Sequence, residues 1–161
     1  MIVQGADFST NGFKENSYFV NLLTEYENAG VSYYDINNTY FGIANADKSG
    51  YAGKVINQIR LRCMTAGTLK IYKTSNLDGS IITPTLITTA NLTVGINTIN
   101  FADTKIESDE YLVFGDSNDT AAIARVSSAY TEESYYIYCC RSSRTPESAI
   151  SQLAIDVNYI V

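Results

Sequence analysis

The feature that most constrains this chain is an alternation of period two. Val55, Asn57, Ile59, Leu61 and Cys63 alternate with Ile56, Gln58, Arg60 and Arg62. Successive side chains of a strand point to opposite faces, so the segment reads as a half-buried strand. The C-terminal stretch repeats the pattern, with Leu153, Ile155, Val157 and Tyr159 set against Gln152, Ala154, Asp156 and Asn158. Further strands are expected at 68–73, 85–92, 96–101, 110–114, 121–126 and 135–140, with turn-forming loops such as 75–80 and 103–109 between them. Thr65, Ala66 and Gly67 are expected to fold the first of these strands back on the next as a hairpin. Arg60, Arg62, Lys70 and Tyr72 would then share its outer face. Pro84 and Pro146 both fall between strands. Many short strands rich in β-branched and aromatic residues predict an all-β, antiparallel β-sandwich.

Residues 1–52 are less regular. Tyr18, Phe19, Leu22, Leu23 and Tyr26 recur at helical spacing, with Asn16 or Ser17 as a cap and Gly30 as a stop. They predict a short N-terminal helix, and a strand over Ser17 to Leu22 is the competing reading. Residues 40–44 read as a strand and 47–53 as an exposed loop. With 161 residues, 45% of them hydrophobic, and no internal repeat or linker, the chain is expected to form one domain, 1–161.

Composition excludes more chemistry than it suggests. The chain has no histidine, which removes Ser-His-Asp and Cys-His catalysis and every histidine metal site. A strand running into Gly115, Asp116 and Ser117 is how SGNH esterases present a nucleophile, but a serine with no base to take its proton is a poor one. Residues 50–54 fail as a phosphate loop, because Lys48 and Val55 stand where glycine and Ser or Thr are required. Glu107, Asp109 and Glu110, like Glu132 and Glu133, read as solvated loop charges rather than glycosidase acids. Asp116, Asn118 and Asp119 place oxygen ligands in one tight loop, a weak calcium signature without the full acidic motif. No enzyme activity and no cofactor are expected.

A net charge of -6 argues against nucleic acid, whose phosphates need a basic face. No apolar run approaches membrane-helix length, so membrane insertion is not expected. Residues 1–7 lack the basic and apolar regions of a secretory signal, and none is expected. Cys63, Cys139 and Cys140 make an odd count and read as reduced, partly buried side chains.

The 13 tyrosines, with no tryptophan, are the one compositional pointer to binding. A tyrosine offers a flat apolar face and a polar tip, which suits sugar stacking and protein interfaces alike. Tyr33, Tyr34, Tyr40 and Tyr51 cluster early and Tyr136 and Tyr138 late, and these six are the candidate binding residues.

One stretch resembles a known group of modules. Residues 53–61 (GKVINQIRL), 66–72 (AGTLKIY), 94–101 (VGINTINF) and 110–115 (EYLVFG) are similar to the small jelly-roll modules found beside SGNH hydrolases in gut bacteria, and in tail or head proteins of the phages that infect them. The similarity covers roughly 53–160, which makes 53–161 a jelly-roll-like core with 1–52 outside it. It implies a non-catalytic sandwich that binds a surface or assembles into one. The expectation is a phage virion structural protein, such as a capsid decoration, head-fibre or tail-appendage protein, made in the host cytoplasm. Its partners would be copies of itself or other virion proteins. A carbohydrate-binding module or adhesin, with a cell-surface glycan as partner, is the alternative.

Overall fold

The computed structural model describes residues 16–36, 40–45, 50–75, 84–115, 119–126, 137–141 and 149–160. Among them run β1 (Asn16–Asn21), α1 (Leu22–Ala29), β2 (Tyr34–Ile36), β3 (Tyr40–Asn45), β4 (Val55–Thr65), β5 (Gly67–Thr74) and β6 (Thr85–Leu92). These are followed by β7 (Gly95–Lys105), β8 (Tyr111–Phe114), β9 (Ala122–Val126), β10 (Ile137–Arg141), β11 (Ala149–Leu153) and β12 (Ile155–Ile160). Every strand pairing is antiparallel, and the strands form the two packed layers of a sandwich. One layer runs β1-β12-β4-β7. The other runs β6-β5-β8-β3-β10-β11-β9, with β2 on the far edge of β9. Short ladders between β4 and β9 carry hydrogen bonding from one layer to the other.

The expected hairpin between β4 and β5 does not form. β4 pairs β7, β12 and β9, whereas β5 pairs β6 and β8. Only Ala66 lies between the two strands, and one residue is too short to reverse a chain into pairing register. The chain instead crosses from one layer to the other. The crossing is repeated after β6, where Thr93 and Val94 lead into β7 of the first layer. Arg60 and Arg62 therefore do not share a face with Lys70 and Tyr72.

The core lies between the layers. Ile56, Ile59, Leu61, Ile99, Ile155 and Val157 from one layer meet Leu69, Ile71, Leu112, Phe114 and Leu153 from the other, all buried. At roughly 1.5–3 kcal/mol for each large apolar side chain taken from water, this cluster is the main stabilising element. The period-two pattern of β4 holds from Ile59 to Cys63 but slips on the N-terminal side of Ile59. Against β12, Gln58 pairs Asn158 while Ile56 pairs Tyr159, so Asn57 is an extra residue on β4. This bulge turns Ile56 inward in place of Val55 and Asn57. The C-terminal strand is also broken, at Ala154, whose N–H turns to the Ala124 carbonyl as the chain passes from β11 to β12.

Both readings of the N-terminal segment are realised in sequence: a strand over 16–21 and then a helix. Gly30 ends the helix as expected, with φ at 65°. Its N–H bonds the Glu27 carbonyl and that of Val31 bonds the Tyr26 carbonyl, the paired contacts of a Schellman termination. The cap is neither Asn16 nor Ser17. It is Asp156 of β12, which accepts the N–H groups of Leu23 and Thr24.

Candidate functional site

The β12-β4-β7 layer carries two cross-strand rows of polar side chains, and register explains their order. Asp156 stands opposite Arg60, which stands opposite Thr98; Asn158 stands opposite Gln58, which stands opposite Asn100. The first row is ionic: Arg60 lies 3.5 Å from the fully buried carboxylate of Asp156. The second is a row of amides. Asn158 Nδ2 donates to Gln58 Oε1 at 3.1 Å, and Gln58 Nε2 donates to Asn100 Oδ1 at 3.0 Å.

α1 covers the β12 end of this layer. Leu23 packs with Ala124 and Ala154, against Tyr26, Tyr33, Met64 and Val126. Thr24 donates its hydroxyl to Asp156 at 2.8 Å, and Tyr26 donates its hydroxyl to Gln152. Glu27 accepts Arg62 Nε at 2.9 Å and a second guanidinium N–H of the same residue. The Arg62 guanidinium sits 5.0 Å from the centre of the Tyr33 ring, whose hydroxyl donates to Glu27 at 3.2 Å. Bonding to Arg62 holds the Glu27 carboxyl below its ordinary range. Burial, reinforced by the Glu27 charge, pushes the Tyr33 phenol up. This arrangement fastens a helix to a sheet: each cation has its anion, and the described carboxylates here serve as a cap and an ion-pair partner.

Of the six candidate tyrosines, two have described side chains. Tyr33 is half-buried, with one face of its ring taken by Arg62. Tyr51 is wholly buried in the core, so 47–53 is not an exposed loop at that point. A tight turn draws it inward: Lys54 N–H bonds the Tyr51 carbonyl at 3.0 Å and Gly53 N–H bonds the Ile106 carbonyl at 2.7 Å. Tyr51 therefore offers no face to a ligand. The backbone places Tyr34 opposite Arg125, Tyr40 opposite Arg141, and Tyr138 between Ile43 and Gln152. The structure thus does not gather the six at one place. Tyr136 lies outside the described residues.

Asp116 and Asn118 of the calcium signature also lie outside them. Asp119 is buried and accepts the Lys70 N–H at 2.8 Å, which fixes the loop to β5. Around it, the Thr120 and Ala121 N–H groups bond the Thr68 carbonyl, and Gly115 N–H bonds that of Lys70. Among the described residues no group of three or more Asp, Glu, Cys or His is placed to hold a metal ion. Glu110 is engaged by Lys73 at 3.1 Å and by the Glu107 N–H at 2.8 Å.

Sequence reasoning passed over the large apolar side chains that face water: Leu86 on β6, Val94 between β6 and β7, and Ile96 on β7, which are 51%, 69% and 44% exposed. Among the described residues, β6 pairs only with β5 and β7 only with β4, so each is the edge of its layer. No family model, curated protein or solved structure matches the chain.

Proposed function

We propose that this chain is a non-catalytic virion structural protein of a phage, a capsid decoration, head-fibre or tail-appendage component that assembles through its sandwich. The observation that carries the reading is the pair of edge strands β6 and β7 with Leu86, Val94 and Ile96 turned to water. Large apolar side chains at open strand edges are features of an interaction surface. The all-β antiparallel sandwich agrees with the jelly-roll modules that residues 53–160 resemble. In this reading the partners are other virion proteins or further copies, and repeated weak contacts gain strength through copy number.

A carbohydrate-binding module or adhesin is the second reading. It is favoured by the exposed end of the amide row, where Asn100 offers the donor and acceptor that sugar hydroxyls take. Immunogold labelling with antibody raised against the chain, applied to phage particles from the organism that encodes it, separates the two. Regular label on particles is expected. Unlabelled particles, together with specific binding on a glycan array that Asn100→Ala abolishes, would overturn the virion reading in favour of the glycan one.

A further inference from the structure

Residues 79–102 contain no Asp, Glu, Lys or Arg, the longest uncharged run of a chain that carries 28 such residues. Folding places the described part of this run, 84–102, on β6, the turn and most of β7, the edges of both layers. An edge strand exposes unpaired N–H and C=O groups, and proteins guard such edges with charge, proline or bulges that discourage another strand. β6 reads Thr-Leu-Ile-Thr-Thr-Ala-Asn-Leu. It has no charged side chain and no proline within it; its one irregularity is a bulge at Ile87 against β5, and beyond that bulge Thr88 to Leu92 run in unbroken register. Thr85, Leu86, Thr89 and Asn91 have exposed side chains.

We propose that β6 is the docking edge for a second copy of this chain, extending the β5–β6 layer across the contact by antiparallel strand addition. This gives the assembling role proposed above a definite surface and rests on that reading. Charge selects the occupant. Each copy brings a net -6 to the encounter, and like charges repel wherever acidic surfaces meet. An uncharged edge is where two such copies approach at least electrostatic cost, and it offers no cation to attract an acidic partner and no anion to attract a basic one. Antiparallel pairing of one strand with its own copy is also self-complementary, as a twofold contact requires.

The test is the solution mass of the full chain, by light scattering from micromolar to submillimolar concentration. The wild type is expected at twice its 17.7 kDa mass or more. Leu86→Lys and Thr89→Lys each place a charge on the edge without removing a core side chain, and should raise the midpoint concentration of association at least about tenfold. Their melting as monomers should be unchanged. Ser108→Lys adds the same charge on an exposed loop and should leave association as it was. If Leu86→Lys does not fold, Thr89→Lys alone decides. A wild type that stays monomeric throughout would overturn the proposal, as would an oligomer indifferent to both edge lysines. Neither result touches the virion reading, which particle labelling decides separately.

Discussion

Asp156, near the start of the last strand, β12, accepts the N–H of Leu23 at 3.0 Å across 133 positions of sequence. The same carboxylate takes the Thr24 N–H and hydroxyl and lies 3.5 Å from Arg60. A helix of eight residues is too short to stand alone in water. Its first turn is therefore capped from the sheet on which it rests.

Asp156→Ala should accordingly cost more than an ordinary cap. It removes the cap, leaves the buried Leu23 amide without its acceptor, and strips Arg60 of its anion, together about 2–4 kcal/mol. Asp156→Asn keeps the acceptor oxygen and should lose roughly half as much. Urea unfolding monitored by circular dichroism measures both. Equal losses for the two variants would show that charge, rather than the cap, is what matters.

How much of this was legible in sequence depends on how local each cause is. The alternation of Ile59, Leu61 and Cys63 reports burial on a pleated strand directly, and the sandwich class followed from it. The stop at Gly30 was legible for the same reason, since the left-handed conformation it adopts is a property of one residue. What failed depended on distant partners. A bulge at Asn57 arises only in register with β12, and the layer crossing at Ala66 only because β7 and β6 wait in different layers. The cap on α1 lies at the opposite end of the chain. Tyr51 looked like a loop residue because its neighbours are glycines, yet those glycines make the turn that buries it. The uncharged run at 79–102 was readable from composition along the chain, but its meaning as an edge needed the pairing.

Two glycines predict two different penalties. At Gly67 an added Cβ would lie 2.5 Å from Thr120 Oγ1 and 2.6 Å from the Ala121 nitrogen, so loop 119–121 would have to lift from β5. With the Thr68 carbonyl bonds at stake, Gly67→Ala should cost about 2–4 kcal/mol. At Gly30 nothing lies within 4 Å of the added carbon, but φ is positive, and Gly30→Ala should cost only about 1 kcal/mol of backbone strain. Thermal unfolding of the pair checks the order, and a Gly67→Ala variant as stable as wild type would show that the loop yields freely.

The Glu27–Arg62 pair predicts acid sensitivity of a stated sign. Because the folded state lowers the Glu27 pKa, its contribution is fully present above the ordinary value of 4.5 and is lost as pH falls through the lower folded value. The pair is partly exposed, and such pairs contribute at most about 1 kcal/mol. Glu27→Gln should therefore be less stable than wild type at neutral pH, with the gap closing below pH 4.5. Urea midpoints measured for both proteins across that range test it, and a gap that widens in acid contradicts the assignment.

Cys63 should be chemically silent in the folded protein. It is 1% exposed, its thiol donates to the Thr65 carbonyl at 3.0 Å, and burial pushes its pKa up, which lowers the thiolate fraction at neutral pH. In a chain carrying Cys139→Ser and Cys140→Ser, Cys63 is the sole remaining thiol. Its modification by a charged disulfide reagent should then follow opening of the β4 region, so the rate should rise steeply with urea and stop increasing with reagent concentration once opening is limiting. Prompt, stoichiometric modification in native buffer would show that the side of β4 facing β9 opens to solvent far more readily than its burial in the core cluster implies.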